Sequence, residues 1–550
     1  MSEKPAHWPR YVPLHLTAPE TSLWYNLEVS ARRHPNKASL ICYGNEITFS
    51  RLKAEAEKLA GFLQQKCGVA RADRVLLLAQ NSFQFVIAYY AILRADAVVV
   101  PVNPMNLTQE LRRIVADCGA KTAVIAQELW PQAFPLVDEG MIEYAVVAAY
   151  SDYLPKPAEI AVPDAFKLAK QPIAGRGITP WSDAIAANLP PGLHTTGPDD
   201  LCCMPYTSGT TGEPKGCMHT HRSVMHTCVG GAEWFRTLPE MTYLGVLPAF
   251  HVTGMQNAMN TPIYMGSTVV MLPRWDREAA GALISRHRIE GWTLIPTMVV
   301  DLLASPNAAK FDLSSIQRMS GGGAAMPEAV ATKLQELCGI TFVEGYGLTE
   351  TMAPTHINPP DRPKKQCLGI PIFDTYSMIV DPTTLEELPD GEVGEIVAAG
   401  PQIFLGYWGK PQATAEAFFE RDGRKYFRTG DLGRRDEEGY FFIVDRLKRM
   451  INCSGLKVWP AEVESTLYGH PDVQEACVVA AKDPRRGETV KAFIVLKAPR
   501  RGAVTADEII AWARTKMAAY KVPTIVSFEE SLPKSATGKI QWRVLQEREQ

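Results

Sequence analysis

The sequence lacks a long apolar run that is free of charged residues. Its most apolar stretch, residues 85–102, contains Arg94 and Asp96, whereas a membrane-spanning helix needs about 20 predominantly apolar residues. The first residues, Met1 to Pro5, have no apolar segment of the kind found in a secretory signal peptide. A basic amphipathic helix that would hold the protein on a membrane surface is also missing. We therefore expect a cytoplasmic protein without stable membrane insertion.

Blocks of like charge are absent as well. The chain has 57 Lys and Arg residues against 60 Asp and Glu residues, and its formal net charge is −3. Proteins that attract nucleic acid usually carry a basic arm or patch, so nucleic acid is not an expected partner. The 550 residues are enough for several structural units.

Cysteine pairs at metal-binding or redox spacing are missing too. None of the eleven cysteines belongs to a CxxC pair, and we expect all eleven to be reduced thiols. Three histidines, His219, His221 and His226, lie close together in the sequence. A zinc site would need further Cys or His ligands at suitable spacing, so we expect these histidines to be packed or solvated.

The most informative segment that the sequence does contain is a loop of small and hydroxylated residues at 206–216, which reads YTSGTTGEPKG. It follows an apolar stretch that predicts a strand at 201–204, and it precedes a predicted helix from His221 with Thr220 as N-cap. Glycine lets backbone N–H groups approach a ligand, and Lys215 adds a positive charge suited to phosphate. The pattern predicts a loop that binds polyphosphate. Composition alone leaves a flexible surface turn as the alternative.

This loop is not the GxxxxGK[ST] P-loop. The spacing from Gly209 to Gly216 is wrong for that motif, and Cys217 stands where the P-loop has a magnesium-binding Ser or Thr. We expect Cys217 to pack like an aliphatic residue.

The first 200 residues alternate between helical and strand patterns. Residues 51–66 predict an amphipathic helix with Ser50 as its N-cap, 74–79 a buried strand, 83–93 a second helix and 97–102 a second strand. Such alternation is typical of a mostly parallel sheet covered by helices.

Three later regions do not show this alternation of helix and strand patterns. Residues 131–197 are rich in proline and are predicted to be an irregular connection. From Gly391 the strand patterns come closer together, with Gly and Asp turns between them, which predicts a β-rich subdomain. Beyond Asp445, a helix and strands within about a hundred residues predict a compact α+β domain. The predicted fold class is α/β, with a large domain of helix-covered sheets, a β-rich subdomain and a small α+β C-terminal domain.

Seven motifs occur along the chain in a fixed order. They are 206–216, Phe250–His251, Gly345–Glu350, Phe427–Asp431, Asp445–Lys448, Ser454–Gly455 with Pro460–Glu464, and Pro533–Lys539. Together they span nearly the whole chain. In this order they resemble the motifs of the adenylate-forming (ANL) superfamily, which includes acyl-CoA synthetases, peptide-synthetase adenylation domains and firefly-type luciferases. The resemblance is to the acyl-CoA synthetase, or fatty-acid–CoA ligase, branch.

The resemblance implies an ATP-dependent, AMP-forming acyl-CoA ligase that uses ATP, Mg²⁺ and coenzyme A. Such an enzyme first converts a carboxylic acid and ATP into acyl-AMP and pyrophosphate, and then transfers the acyl group to the thiol of coenzyme A. The implied organisation is an N-terminal domain at 1–444, a hinge at 445–448 and a mobile C-terminal domain at 449–550. Rotation about the hinge would present different residues to the two half-reactions.

The resemblance also implies four catalytic residues. Lys539 would bridge the acyl carboxylate and the α-phosphate, and Thr349 would donate to the α-phosphate. Glu350 would lie close to Mg²⁺, together with Thr210. His251 follows Phe250 at a strand end that opens toward the ligand.

Further residues are implied in cofactor binding. Tyr346 would stack on adenine, Asp431 would accept from the ribose hydroxyls beside Arg446, and Gly455 would line the tunnel for the thiol. The complete implied set is Thr207, Ser208, Gly209, Thr210, Thr211, Gly212, Lys215, Gly322, Tyr346, Gly347, Asp431, Arg446 and Gly455.

The class of acid is narrowed by His251. In amino-acid-activating relatives an aspartate follows the matching phenylalanine and pairs with the ammonium group of the substrate. Because an ammonium without such a partner would be costly to bury, we expect an acid without an α-amino group. The candidate pocket wall is apolar and rich in methionine, which suits a fatty acid and an aryl-alkanoic acid equally. It comprises Met255, Ala258, Met259, Pro296, Met298, Gly321–Gly323 and Ala324–Ala325.

Other functions stay open on the sequence alone. The chain ends shortly after Lys539 without a carrier domain, so we expect a diffusible acceptor, with coenzyme A ahead of a separate carrier protein. A luciferase-like oxidation shares the same motifs. A non-catalytic nucleotide-binding pseudo-ligase is disfavoured because Lys539, Glu350 and Asp431 are all present. A homodimer is the expected quaternary structure.

Overall fold

The computed structural model describes residues 7–208, 214–323, 326, 328–446, 449–453, 456–483, 487–535 and 539–549. The chain divides into two compact units. The first comprises Met1–Tyr376 and Ala399–Phe427, and the second comprises Ser377–Ala398 and Arg428–Gln550. In the described ranges no helix is both long and apolar enough to cross a membrane.

The helices vary in length from one turn to five turns. In chain order they are α1 (Trp24–Arg33), α2 (Phe49–Lys66), α3 (Phe83–Arg94), α4 (Thr108–Cys118), α5 (Trp130–Asp138), α6 (Asp164–Lys167), α7 (Trp181–Ala186), α8 (His221–Trp234), α9 (Val252–Met255), α10 (Thr261–Met265), α11 (Arg277–His287), α12 (Pro296–Leu303), α13 (Glu328–Cys338), α14 (Pro411–Glu416), α15 (Pro460–Tyr468), α16 (Ala506–Arg514) and α17 (Trp542–Glu547).

The strands are mostly short. In chain order they are β1 (Ala38–Cys42), β2 (Asn45–Thr48), β3 (Arg74–Leu78), β4 (Val98–Pro101), β5 (Thr122–Ala126), β6 (Tyr144–Ala148), β7 (Ile178–Pro180), β8 (Leu201–Cys203), β9 (Tyr206–Ser208), β10 (Pro214–Gly216), β11 (His219–Thr220), β12 (Thr242–Gly245), β13 (Thr268–Met271), β14 (Gly291–Leu294), β15 (Arg318–Gly321), β16 (Val343–Tyr346), β17 (His356–Ile357), β18 (Ile370–Pro371), β19 (Tyr376–Val380), β20 (Gly394–Ala399), β21 (Phe418–Arg421), β22 (Arg424–Arg435), β23 (Phe441–Arg446), β24 (Ile451–Cys453), β25 (Leu456–Val458), β26 (Val473–Asp483), β27 (Gly487–Leu496) and β28 (Ile525–Phe528).

The first unit contains two large, mainly parallel sheets. One has seven strands in the order β11-β8-β4-β3-β5-β6-β7, and the other has nine in the order β18-β17-β16-β15-β14-β12-β13-β1-β2. In the first sheet β3 pairs in parallel with β4 and β5, and in the second β12 pairs in parallel with β13 and β14. The predicted α/β class with helix-covered parallel sheets is confirmed.

Helix α3 is buried along its length. Every residue from Phe83 to Leu93 is buried, and the helix packs against α2, β3 and β4. A helix that is apolar all round is expected inside the core of a large domain. The apolar stretch at 85–102 is therefore buried inside the protein, in α3 and β4.

Two local predictions are wrong. Helix α2 begins at Phe49, and Thr48, not Ser50, caps it by accepting a hydrogen bond from the backbone N–H of Arg51. Both residues carry a hydroxyl, but the helix begins two residues earlier than predicted, because Phe49 is fully buried and belongs to the packed face.

The proline-rich region 131–197 is also more regular than predicted. It contains most of α5, and strand β6 lies between β5 and β7 in the seven-stranded sheet. Pro131 lies in the first turn of α5, where proline lacks only an N–H that would be unpaired anyway. In this region proline therefore occurs in the first turn of a helix as well as in irregular segments.

The second unit is β-rich near its start and α+β toward its end. Strand β22 pairs antiparallel with β23 from Asp431↔Arg446 to Arg435↔Phe441. A further sheet has the order β25-β24-β27-β26, and β28 adds to β27. Helices α15 and α16 contribute to the apolar core around Val463, Ile494 and Ile509.

The eleven cysteines are all free thiols, as expected, and ten of them are buried. Cys217 packs with Phe404 and Phe427 in a small apolar cluster, which fits the expectation that it behaves like an aliphatic residue. Burial raises the pKa of the Cys217 thiol, so it stays protonated at neutral pH.

Candidate active site

The predicted phosphate loop begins in strand β9 and ends in strand β10. Strands β9 and β10 pair antiparallel, with Thr207 opposite Lys215 and Tyr206 opposite Gly216. The predicted residues Gly209, Thr210, Thr211 and Gly212 lie outside the described ranges, and Ser208 is described only in its backbone. The strand pairing therefore brings the described ends of the predicted loop, at 206–208 and 214–216, next to each other.

The base of the hairpin is anchored to helix α4. The hydroxyl of Tyr206 donates a hydrogen bond to Oδ2 of Asp117 at 2.6 Å. The other carboxylate oxygen of Asp117 pairs with Nζ of Lys410 at 3.0 Å. On the opposite strand, the backbone N–H of Trp408 donates to the carbonyl of Gly216 at 2.9 Å. These contacts hold both strands of the hairpin to the rest of the first unit.

Tyr407 joins two of the predicted charged residues. Its hydroxyl donates to Oε1 of Glu350 at 2.9 Å, and Nζ of Lys215 lies 4.8 Å from the centre of its ring. That separation lies within the range of a cation–π contact. Burial, followed by the charge of Glu350, raises the pKa of the Tyr407 hydroxyl. The hydroxyl therefore stays protonated and is the donor of the hydrogen bond to Glu350. Glu350 itself is 8% exposed.

The turn that carries Thr349 and Glu350 is held by His219. This turn is a short 3₁₀ helix, Thr349–Thr351, and the Nε2 atom of His219 lies 2.8 Å from the carbonyl oxygen of Thr349. Burial lowers the pKa of His219 to about 4, against the opposing hydrogen bond to Thr349. A neutral imidazole donates to that carbonyl, so His219 has a structural role near the site.

The two neighbouring histidines are also packed. Nδ1 of His221 accepts from the backbone N–H of Leu23 at 2.9 Å, and Nε2 of His226 lies 3.1 Å from the carbonyl of Phe373. Among the residues that the structure describes, no group of three or more His, Cys, Asp or Glu side chains could hold a metal ion. The expectation of packed histidines is confirmed.

A glycine-rich turn follows β15 beside the strand that carries Tyr346. A side chain on Gly322 would collide with the carbonyl oxygen of Gly345, and one on Gly347 would lie 2.8 Å from the Cα of Ala353. These glycines therefore permit the close approach of neighbouring backbone segments within the protein. Tyr346 is 9% exposed, and its ring lies 5.8 Å from that of His356. Adenine stacking on Tyr346 stays a prediction.

Glu344, two residues before Tyr346, bonds to two backbone segments near the glycine-rich turn. One carboxylate oxygen accepts from the N–H of Met326 at 2.7 Å, and the other accepts from the N–H of Cys367 at 2.7 Å. Burial nevertheless raises the pKa of Glu344 to about 6, because its effect exceeds that of these two donors. Glu344 thus joins the segment after the glycine turn to the loop before β18.

His251 lies at the start of the one-turn helix α9. Its side chain accepts from the backbone N–H of Thr253 at 3.4 Å, as an N-cap does. The residues that follow form a π-helical turn, Gln256–Asn260, and this turn includes two of the predicted pocket residues, Ala258 and Met259. π-helical turns are frequent at functional sites. Met255, Ala258 and Met259 are buried, whereas Ala324 and Ala325 lie outside the described ranges.

In the second unit, two predicted ribose contacts occupy facing positions. Asp431 on β22 is directly opposite Arg446 on β23, and Asp431 is 2% exposed. The turn before Asp431 is held by Glu395, which accepts from the N–H of Gly430 at 3.0 Å and pairs with Arg428 at 2.7 Å. The strand register therefore places the two residues at opposite backbone positions, and ribose binding stays a prediction.

The remaining predicted residues of the second unit lie toward the C-terminus. Lys539 is exposed, and its backbone N–H donates to Oγ of Ser535 at 3.2 Å. Asp445, at the start of the predicted hinge, accepts from the N–H of Ala461 in α15 at 2.7 Å. Gly455 and hinge residues 447 and 448 lie outside the described ranges. The compact units follow other boundaries than 444 and 449, so the functional domains and the hinge stay predictions.

The chemistry of the first unit fits a magnesium–nucleotide site. Mg²⁺ is usually held by one or two carboxylates together with substrate phosphates, and Glu350 supplies one buried carboxylate beside the hairpin. Lys215 supplies a positive charge on the same hairpin, and the Lys215 and Glu350 side chains both contact Tyr407.

Sequence reasoning missed Tyr407 and Glu344. Tyr407 lies in Gly406-Tyr407-Trp408, an aromatic pair after a glycine, and Glu344 directly precedes the Gly345–Glu350 motif. Each signal is weak alone, because the partners of these residues are far away in the sequence.

Comparisons with known proteins identify the family of the chain. The sequence profile named "AMP-binding enzyme" matches residues 27–408, and that of the "AMP-binding enzyme C-terminal domain" matches residues 462–539. The chain is 36% identical to a long-chain-fatty-acid–CoA ligase of Bacillus subtilis over 562 aligned residues, covering 100% of this chain and 98% of that protein. It is 34% identical to a feruloyl-CoA synthase of an Amycolatopsis species, covering 93% and 95%.

The fold is similar to solved structures as well. The ATP-bound structure of MatB from Rhodopseudomonas palustris superposes with a TM-score of 0.84 and 26% identity, covering 96% of this chain and 99% of that one. One family accounts for the seven ordered motifs, the two mainly parallel sheets and both profile matches. The chain belongs to the AMP-binding enzyme family, in the acyl-CoA synthetase branch of the adenylate-forming superfamily.

Proposed function

We propose that this enzyme activates an apolar carboxylic acid with ATP, forming acyl-AMP and pyrophosphate, and then transfers the acyl group to coenzyme A. The observation that carries this proposal is the cluster at the base of the hairpin. There, Tyr407 contacts both Glu350, the predicted magnesium ligand, and Lys215, the predicted phosphate contact. Two opposite charges are held next to a loop whose composition suits polyphosphate.

The proposed first step needs charge neutralisation. A carboxylate oxygen of the acid attacks the α-phosphorus of ATP, and pyrophosphate leaves. Both reactants are anions, so fixed positive charge near the phosphates lowers the barrier. Lys215 and the hairpin N–H groups would bind the phosphates, and Glu350 with Thr210 would hold Mg²⁺, which neutralises phosphate charge when bound. Asp431 and Arg446 would bind the ribose.

The second step replaces AMP by a thiol. The sulfur of coenzyme A attacks the acyl carbonyl carbon, and AMP leaves with the oxygen that originally belonged to the acid. We infer that rotation of residues 449–550 about the hinge at 445–448 separates the two steps. Lys539 would serve the first orientation, and the segment with Gly455 would serve the second.

The proposed acid is a fatty or aryl-alkanoic acid. His251 stands where amino-acid-activating relatives have an aspartate, and the predicted pocket residues Met255, Ala258 and Met259 are apolar and buried. One relative named above is a long-chain-fatty-acid–CoA ligase, and the other is a feruloyl-CoA synthase, whose name gives an aryl-substituted alkenoic acid. These names support an apolar acid and leave the choice between the two kinds to experiment.

The test is pyrophosphate release over a panel of acids with ATP and Mg²⁺, measured with and without coenzyme A. The panel runs from acetate through octanoate and palmitate to benzoate, phenylacetate, ferulate and several amino acids. The proposal expects turnover with one class of apolar acid that depends on coenzyme A. Turnover without stimulation by coenzyme A would indicate a carrier protein or another acceptor. A silent panel with intact ATP binding would contradict the ligase and favour a non-catalytic nucleotide-binding protein.

A further inference from the structure

Tyr407 is not among the residues that sequence motifs assign to the site, yet it contacts two of them. The phenol hydroxyl bonds to Oε1 of Glu350 at 2.9 Å, and the ring face carries the ammonium of Lys215 at 4.8 Å. All three residues belong to the first unit. A single side chain therefore contacts the predicted metal ligand with its polar end and the predicted phosphate ligand with its apolar face.

The backbone around Tyr407 is fixed from several directions. Its N–H donates to Oγ1 of Thr414 at 2.9 Å, and it forms an isolated antiparallel bridge with Cys217, which directly follows β10. The ring packs edge-on against Phe404 with centroids 4.9 Å apart. Because Glu350 also accepts the N–H of Phe404 through its own carbonyl at 2.9 Å, the segments of Glu350 and Tyr407 are joined by backbone as well as side-chain contacts.

We propose that Tyr407 is a positioning residue that sets the orientation of the Glu350 carboxylate toward magnesium and holds the Lys215 ammonium at the phosphate loop. This inference rests on the proposed use of MgATP. A hydroxyl bonded to one carboxylate oxygen fixes the rotation of the carboxylate plane, and Mg²⁺ demands near-ideal ligand geometry. Residues that orient a metal ligand commonly change metal affinity about 10-fold to 100-fold when removed.

The two functions of Tyr407 can be separated by two substitutions. Tyr407→Phe removes the hydroxyl and keeps the ring, whereas Tyr407→Leu removes both. The measurement is the dissociation constant of ATP by isothermal titration calorimetry, without Mg²⁺ and across a Mg²⁺ series. Mg²⁺ is expected to strengthen ATP binding, and the half-maximal Mg²⁺ concentration for this effect is the quantity compared. For Tyr407→Phe we expect this concentration to rise about tenfold. ATP binding without Mg²⁺ should change less than about twofold. For Tyr407→Leu we expect ATP binding without Mg²⁺ to weaken a further threefold or so.

Two control variants distinguish the positioning role of Tyr407 from a general effect of removing a buried hydroxyl. Tyr243→Phe removes another partly buried hydroxyl, which donates to Thr237 Oγ1 at 3.2 Å, and it should leave the Mg²⁺ dependence unchanged. In a Glu350→Gln background, Tyr407→Phe should add little to the Mg²⁺ dependence, because the carboxylate that it orients is gone. Thermal unfolding of each variant checks that it is folded.

The outcomes separate this inference from the proposed function. If wild-type protein binds MgATP and Tyr407→Phe keeps the wild-type Mg²⁺ dependence, the positioning role of Tyr407 is wrong while the proposed function stands. Equal weakening with and without Mg²⁺ would likewise assign Tyr407 a general packing role and overturn the inference. If wild-type protein binds no ATP at any Mg²⁺ concentration, both the proposed function and this inference fail.

Discussion

Among single residues, Glu344 shows how burial and hydrogen bonding compete. Its carboxylate accepts two backbone N–H donors, which favour the ionised form, but burial still raises its pKa from 4.5 to about 6. The folded protein therefore binds the Glu344 proton more tightly than the unfolded chain does. The resulting stabilisation is complete below about pH 4.5 and is lost as the pH rises through about 6.

Glu344→Gln tests this account, because glutamine keeps the shape and cannot ionise. We expect the free energy of unfolding of the wild type, relative to the variant, to fall by about 2 kcal/mol as the pH rises from about 4.5 to about 7.5. Urea denaturation of both proteins across that range measures the difference. Glu437→Gln, which removes an exposed carboxylate, is the matched control. A wild-type-to-variant difference that is independent of pH would show that Glu344 is not perturbed by burial.

The residue scale also shows what sequence reasoning could and could not predict. Lys215 and Glu350 were predicted because each lies in a recognisable motif, and Lys215 carries an intrinsic positive charge. Tyr407 and Glu344 were not, because their importance comes from partners brought close by folding. An aromatic residue and a carboxylate have too many ordinary roles for their type alone to identify them.

At the scale of elements, the hairpin β9–β10 depends on an anchor outside itself. A two-stranded hairpin is only marginally stable alone, and here Tyr206 bonds to Asp117 on α4 at 2.6 Å. Burial, followed by that hydrogen bond, raises the pKa of Tyr206, so the hydroxyl remains a donor at neutral pH. The anchor fixes where the phosphate loop begins.

Removal of this anchor should weaken ATP use. For Tyr206→Phe we expect the KM for ATP to rise about threefold to tenfold, with a smaller change in kcat, because strand β9 loses a hydrogen bond to a charged group. Steady-state kinetics with saturating acid and coenzyme A provide both constants. Tyr11→Phe, at a residue that is 77% exposed, is the control. An unchanged KM for ATP would mean that the hairpin keeps its position without Tyr206.

The elements themselves were predicted well where periodicity was strong. Helices α2, α3 and α8 and strands β3 and β4 lie within a few residues of their predicted positions. The prediction for region 131–197 is poor, because proline does not always interrupt an element. In α5, Pro131 occupies the first turn, where proline is tolerated, and Pro135 lies inside the helix.

At the scale of the whole molecule, the ordered motifs predicted the family, and the two profile matches confirm it. The division of labour between domains is a separate hypothesis, since motifs show composition and order but no movement. Two residues, Lys539 and Gly455, are predicted to act in different half-reactions. The hypothesis therefore predicts opposite effects for two substitutions.

For Lys539→Ala we expect adenylation to slow by about a hundredfold or more, corresponding to roughly 3 kcal/mol, because a charge aimed at the transition state is lost. Thioester formation from preformed acyl-AMP should stay close to wild type. Gly455→Trp should do the reverse, since a side chain would obstruct the predicted thiol tunnel. Pyrophosphate exchange and single-turnover transfer to coenzyme A measure the two steps separately. Equal loss of both steps in Lys539→Ala would contradict domain alternation.

The central claim is that the acid is activated as an acyl-adenylate before thiol transfer. The most direct test uses an accepted acid labelled with ¹⁸O in its carboxylate, followed by mass spectrometry of the products after turnover with ATP, Mg²⁺ and coenzyme A. The account predicts one ¹⁸O atom in AMP and none in pyrophosphate, because the carboxylate oxygen that attacks the α-phosphorus leaves with AMP. Unlabelled AMP, or label in pyrophosphate or inorganic phosphate, would contradict it.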